Sequence, residues 1–305
     1  MEWNAFWPRC SMTISNTSEQ NMYYHDKRLQ YPVQVTKPDP AFARMLQQAI
    51  GGVEGEIRVC MQYFFQAWGN RAPTTKYRDM LLHTATEELG HIEMLATAVA
   101  LNLDKAPTHL QEEGVKDSIV GAVMGGENPR QSIEGIIHKN LLSGGMAAMP
   151  MDSDGVPFNM SHIYASGNVA ADMYCNVAAE STGRVLAVRL FNATHDEGMK
   201  KMLHYMIARD TMHQQQWLAV IEELGAEAMN LPIPNSFPQD MEDQQNNYNF
   251  YATSVDGTFP EGRWTSGPSM DGKGEFTVFR NEPLGDEPVM GPARPDSGAQ
   301  NQQIG

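Results

Sequence analysis

The sequence predicts an all-α fold: a four-helix bundle with one long crossover connection, followed by an irregular Pro/Gly-rich C-terminal tail. Three observations lead there. Four long segments carry an apolar stripe at helical spacing, acidic residues recur on those stripes in two matched halves, and composition changes sharply after Gly225. With 305 residues the chain is long enough to bury a substantial core around such a bundle.

Taking the elements in order, residues 1–21 lack the basic start and apolar centre of a secretory signal, and read as a disordered N-terminal extension. Helix A is expected over residues 53–69, between the breaker pairs Gly51-Gly52 and Gly69-Asn70. Helix B follows from Thr74 to Leu103, bounded by Pro73 and Pro107, with Leu81, Ala85, Glu88, His91, Leu95 and Val99 on one face. Residues 104–160 form the crossover, with short helices expected near 115–124 and 130–142. Helix C, from Ser166 to Thr194, has the stripe Met173, Val177, Glu180, Arg184, Ala187 and Phe191. Helix D starts from an Asp196 N-cap and stops at Gly225, with Met202, Met206, Asp210, His213, Trp217, Val220 and Leu224 in line.

Residues 22–225 are thus expected to form the bundle domain and 226–305 the tail, which holds half of the chain's 18 prolines. Trp264, Phe276, Val278 and Phe279 give that tail enough apolar surface to dock, as a short strand or two, on the body or on a neighbouring subunit.

Charge narrows the choice of partners. Lys plus Arg number 22 against 37 Asp plus Glu, a formal charge of −15, which repels nucleic-acid phosphates and anionic lipid. No apolar run reaches the ~20 residues of a membrane span. Three cysteines, Cys10, Cys60 and Cys175, make no even framework and fit a reduced cytosol, so a cytoplasmic protein is expected.

The informative residues are the ionisable ones on buried stripes. Glu56 on A, Glu88 and His91 on B, Glu180 on C, and Asp210 and His213 on D all share the face that otherwise carries Leu, Met, Val or Trp. Burying several carboxylates together is costly unless positive charge sits among them. Glu88-Leu89-Gly90-His91 and Asp210-Thr211-Met212-His213 are both acid-x-x-His, whose i, i+3 spacing projects both side chains to one side. Glu56 precedes Glu88 by 32 residues and Glu180 precedes Asp210 by 30, so each half gives one acid and then an acid-x-x-His. This is the known pattern of ferritin-like di-iron and di-manganese carboxylate proteins, and two divalent cations bridged by carboxylates would satisfy the buried charge. Mixed oxygen and imidazole ligation suits Mn, Fe and Zn alike.

At these residues the chain resembles the manganese catalases, non-haem enzymes of the ferritin-like class, from about Tyr23 to Leu224 and more loosely into the tail. The most specific stretches are Gly51-Gly52-x-x-Gly55-Glu56, Ala85-Thr86-Glu87-Glu88-Leu89-Gly90-His91-Ile92-Glu93, and the pairing of Glu180 with His213. The resemblance implies two manganese ions held by Glu56, Glu88, His91, Glu180 and His213, with Glu88 bridging, Glu56 and Glu180 bridging or closing one metal each, and both histidines terminal. Glu87 is then the outward neighbour of Glu88, not a ligand, and Tyr63 matches a tyrosine just outside the ligand set.

The implied activity is disproportionation of hydrogen peroxide: one molecule oxidises the Mn(II) pair and leaves as water, and a second returns the electrons and leaves as dioxygen. Some members carry Arg before the helix C glutamate, where this chain has Ala179, so Arg184 is expected to take part of that role. Asp210 stands where some relatives have an outer glutamate, and is expected to relay protons or hold peroxide. Certain members bind calcium through Asp-x-x-x-Asp on helix B. Here the match is Asp79 and His83, which leaves calcium open. A homohexamer with tails wrapping neighbours is also implied. Two other readings stay open beside this one: a di-iron oxidase or ferroxidase, and a metal-stabilised coat or assembly protein.

Overall fold

The computed structural model describes residues 27–72, 74–104, 147–225, 237–244, 246–254 and 256–280. The N-terminal extension and the crossover helices expected near 115–124 and 130–142 lie outside the described residues.

The four expected helices are present as α2 (Glu56–Gly69), α3 (Lys76–Leu103), α4 (Val169–Ala193) and α5 (Glu197–Leu224). A fifth, α1 (Pro40–Gly51), precedes them and was not anticipated. Its sequence does carry the signals: Asp39 caps it by accepting from the Phe42 N–H, and Pro40 sits in the first turn where its missing N–H leaves no gap. The buried face of α1 is Phe42, Ala43, Leu46, Ala49 and Ile50.

Helix α2 starts at Glu56, three residues later than expected, because residues 52–55 form the turn out of α1 and Gly55 is the cap. Helix α4 begins at Val169 under an Asn168 cap, since Ser166 is occupied in bonding Asp172. Asp196 caps α5 as expected, accepting from Gly198 and Met199, and Gly225 ends it at φ 65°, a left-handed conformation suited to glycine.

Helix α2 packs along α3 and α4 along α5, and the two pairs meet through α2 against α4 and α3 against α5, with α1 laid across α3. Three buried amides tie α2 to α4: Asn176 Oδ1 accepts from Gln62 and from Gln66, each at 2.8 Å, and Asn176 Nδ2 donates to Gln66 at 2.8 Å. The returning chain is pinned to α1. Gln47 Nε2 donates to the carbonyls of Met149 (2.8 Å) and Met151 (2.9 Å), and the Met149 N–H donates back to Gln47 at 2.9 Å. Gly51 is required at that contact, because a Cβ there would sit 2.5–2.6 Å from the Met151 backbone.

Two apolar clusters fill the bundle. One joins α1 to the C-terminal half of α3 and the N-terminal half of α5 through Leu46, Met94, Leu95, Val99, Met202, Leu203 and Met206. The other joins α2, the start of α3, α4 and the end of α5 through Val59, Tyr63, Leu81, Ala85, Met173, Trp217 and Val220.

In the tail, β1 (Asn249–Ala252) and β2 (Thr277–Arg280) pair in parallel, Phe250 opposite Val278 and Tyr251 opposite Phe279. Val278 and Phe279 are therefore in a strand as anticipated, whereas Trp264 lies outside both strands and is half exposed.

Candidate metal centre

Along α3 the apolar Leu81 and Ala85 give way to Glu88 and His91 before Met94 and Leu95 resume; on α5, Met206 gives way to Asp210 and His213 before Trp217. Glu180 occupies the same level on α4 and Glu56 opens α2 there. A polar layer is thus enclosed between the two apolar clusters, and Glu88, His91, Glu180, Asp210 and His213 are all buried within it. Only Glu56, with its side chain 13% exposed, keeps some contact with solvent.

Two groups of donors form in this layer. One atom each from Glu56, Glu88 and His91 lie within 4.8 Å of one another, and so do atoms from Glu88, Glu180 and His213. Glu88 belongs to both. Its Oε2 is 2.6 Å from His91 Nδ1 and its Oε1 is 2.9 Å from His213 Nδ1, so each carboxylate oxygen faces one histidine. Glu56 Oε2 is 3.7 Å from His91 Nδ1, and Glu180 Oε1 is 3.4 Å from His213 Nδ1.

These contacts are close but not aligned as hydrogen bonds. Both oxygens of Glu88 and both ring nitrogens of each histidine are buried without a hydrogen-bond partner. Buried polar atoms are ordinarily paired, so six orphans in one layer mark a place for a further group. Its donors are carboxylate oxygen and imidazole nitrogen, the set that divalent Mn, Fe or Zn accepts, so the residues fit a pair of such cations.

Electrostatics agree with that fit. Burial, reinforced by the charge of Glu88, pushes the Glu56 carboxyl up to about 8. Burial, with Glu56, Glu180 and Glu88 nearby, pushes Asp210 up to about 9. Glu180 is raised as well, chiefly by burial. Burial would lower both histidines, but Glu88 and Glu56 hold His91 well above its ordinary value, and Glu180, Glu87 and Glu88 do so for His213. Burial works against ionised Glu88, yet the two histidines outweigh it and hold its pKa down. Without a cation, protons supply the positive charge that the layer needs.

The structure thus brings together five of the residues singled out from sequence, Glu56, Glu88, His91, Glu180 and His213. Tyr63 stands beside them: its hydroxyl donates to Glu180 Oε1, and its ring lies 4.8 Å from that of Trp217. Asp210 shares the layer and feels its charges without contributing an atom to either donor group.

Arg184 is placed otherwise than expected. The residue is exposed and its Nε donates to Thr211 Oγ1 at 3.0 Å, not to any of the five donor residues. The match for calcium, Asp79 and His83, is exposed and enters neither donor group among the described residues.

Sequence reasoning read Glu87 only as the outward neighbour of Glu88 and passed over Arg209. Glu87 Oε2 is 3.3 Å from His213 Nε2, and its Oε1 is 3.7 Å from His91 Nε2. Arg209 grips the same carboxylate from outside, Nε to Oε1 at 2.6 Å and Nη2 to Oε2 at 3.2 Å. Burial opposes its ionisation, but His213 and Arg209 lower the Glu87 pKa to about 2. A signal was present: Glu87 lies four residues before His91, and Arg209 four before His213, so each stands one turn from a histidine.

Comparison with known proteins shows the family. The family model for manganese-containing catalase matches residues 22–301. A manganese catalase of Bacillus subtilis is 42% identical over 274 residues, 90% of this chain and 96% of its own. One from Lactiplantibacillus plantarum is 36% identical over 203 residues, 67% of this chain and 72% of its own. The crystal structure of KatB, a manganese catalase from Anabaena, matches at TM-score 0.64 over 85% of this chain and 99% of its own. At 23% identity that is a likeness of fold, the ferritin-like bundle. On the family match along most of its length and the identity to the Bacillus enzyme, the chain belongs to the manganese-containing catalases.

Proposed function

We propose that Glu56, Glu88, His91, Glu180 and His213 hold the manganese at which this chain disproportionates hydrogen peroxide, as two ions with Glu88 between them. The observation that carries this reading is the membership of Glu88 in both donor groups, one oxygen toward each histidine. Glu56 and His91 complete one position, and Glu180 and His213 the other, each histidine through Nδ1. When bound, the metal pair supplies two-electron redox chemistry, so peroxide serves as both oxidant and reductant.

The remaining roles belong to the chain. Tyr63 donates to Glu180 Oε1 and fixes that carboxylate's direction. Asp210, buried in the same layer and raised to about 9 by burial and the neighbouring carboxylates before metal enters, is the group placed to exchange a proton with peroxide oxygen. The apolar clusters on either side exclude bulk water, and the partial exposure of Glu56 supports entry of a small substrate at the start of α2.

The tail is assigned to an intersubunit contact in a homo-oligomer, a hexamer by likeness to the family. Support comes from five large apolar side chains it leaves exposed: Phe237, Met241, Tyr251, Trp264 and Met270. Sedimentation of the full-length chain tests this, with Trp264→Ser expected to weaken assembly; unaltered assembly rejects Trp264 as part of the contact.

The catalytic assignment is tested by metal analysis of the purified protein together with oxygen release from peroxide. Manganese with one dioxygen released per two peroxides consumed is expected. Bound iron with oxygen uptake would replace this reading by the oxidase one, and bound metal without either activity by the assembly one.

A further inference from the structure

We propose that Glu87, gripped by Arg209, is a positioning residue for both histidines at once, setting Nδ1 of each toward metal by offering one carboxylate as the acceptor for the Nε2–H of each. The inference rests on the ligand assignment above and adds residues that bind no metal themselves.

An imidazole can present either nitrogen, and the bond made by the other nitrogen decides which. In this layer both rings turn Nδ1 toward Glu88 and Nε2 toward Glu87. The ring centroids are 6.0 Å apart, so one carboxylate on the outer side reaches both. Neither Nε2 is hydrogen-bonded here; Glu87, 3.3 Å from that of His213 and 3.7 Å from that of His91, is the acid placed to accept from both.

Arg209 explains why the carboxylate holds that position. A forked guanidinium on both oxygens restricts rotation of the Glu87 side chain, which is 22% exposed and would otherwise be free to swing into water. The geometry also crosses the bundle: Glu87 is on α3 and Arg209 on α5, so the same contact sets the distance between the two acid-x-x-His segments. One outer carboxylate therefore couples the two metal positions, where a separate acid behind each histidine would leave them independent.

The Glu87→Gln variant separates this role from mere packing. Glutamine keeps the shape but offers one acceptor oxygen, so it can serve one histidine and must turn an N–H toward the other. Metal-free protein titrated with Mn2+ against a chelator should show one position weakened 10- to 100-fold and the other nearly unchanged, splitting the isotherm. With Zn2+ as a diamagnetic probe and 15N-labelled histidine, wild type should show Nδ1 bound and Nε2–H on both rings, and Glu87→Gln should lose that pattern on one. Glu87→Asp, which restores a carboxylate, should recover part of the affinity. Glu93→Gln, an exposed charge loss on the same helix, should change neither reading.

Should Glu87→Gln fail to fold, Arg209→Gln carries the test at a side chain 31% exposed, with weakening at both positions expected. Wild-type affinity and ring pattern in these variants overturn the proposal. A wild-type protein that binds no Mn2+ at all would instead reject the ligand assignment.

Discussion

Removing Glu88 and removing His213 should differ in a way that follows from the shared carboxylate. Glu88→Ala takes a donor from both groups and leaves each with two protein ligands, whereas His213→Ala leaves Glu56, Glu88 and His91 intact. Binding to the folded state alone adds RT ln(1 + [L]/Kd), about 2.7 kcal/mol per site at a hundredfold excess over Kd. Two such positions would then contribute roughly 5 kcal/mol, which for a bundle of this size shifts Tm by roughly 10–20 °C. Melting in chelator and in excess Mn2+ measures the shift directly. Wild type should show all of it, His213→Ala about half, and Glu88→Ala almost none, and both variants should lose peroxide decomposition. Comparing each protein with its own metal-free form removes the effect of the substitution on the bare fold. A Glu88→Ala protein with the wild-type metal-induced shift would refute the reasoning, because no donor set built on the shared carboxylate survives that change.

Three further outcomes follow from the same geometry. Asp210→Asn is nearly isosteric with a carboxyl that stays protonated to about pH 9 in the metal-free layer, so metal content should hold while oxygen release slows by roughly 10²-fold; unaltered turnover would make Asp210 structural. In the metal-free protein, Glu56 (raised to about 8), Asp210 (raised to about 9) and the two raised histidines bind more protons folded than unfolded. Their stabilisation is complete below the unfolded values; that of the two carboxyls is lost as pH climbs to 8–9, and that of the histidines declines over the upper part of the same range, so Tm in chelator should fall from pH 5 to pH 9, and a rising Tm would contradict it. Gly51→Ala pushes a methyl against the Met151 backbone and should cost about 1–3 kcal/mol in denaturant titration; a wild-type midpoint would mean the returning segment yields freely.

Much of this was legible in the residues because two independent periodicities coincide. The apolar stripe locates the buried face of α3 and α5, and the acid-x-x-His spacing puts Glu88, His91 and His213 on it, so helix positions and buried donors are read together. Asp196 and Gly225 mark the ends of α5 because cap chemistry is local. The start of α2 was less legible. Gly51 looks like a breaker and Gly55 like part of helix A in a one-dimensional reading, but both are sites of close approach, Gly51 to Met151 and Gly55 to the Ile50 carbonyl, and the first partner lies 100 residues away. Helix α1 was missed for a related reason: twelve residues give three turns, too few for the stripe Phe42, Leu46, Ala49 and Ile50 to stand out without the α3 surface it covers.

Glu87 and Arg209 show where stripe reading fails in principle. Ranking residues by their face rewards full burial, and both side chains are partly exposed, so each is scored as a solvated charge. Their meaning comes from pairing across α3 and α5, which spacing within one helix does not encode. Yet a charge one turn before a buried donor histidine is a local pattern, and it occurs on both helices with opposite sign. Two chains of reasoning then meet. A buried donor layer requires its histidines to be oriented, and orientation of a ring from its outer nitrogen requires a group at the rim of the bundle. Such a group must be half buried: deep enough to reach Nε2, and shallow enough for a long guanidinium to hold it from the solvent side. Partial exposure of an acid beside an acid-x-x-His is therefore a signal in its own right, and the opposite charge on the facing helix identifies its partner.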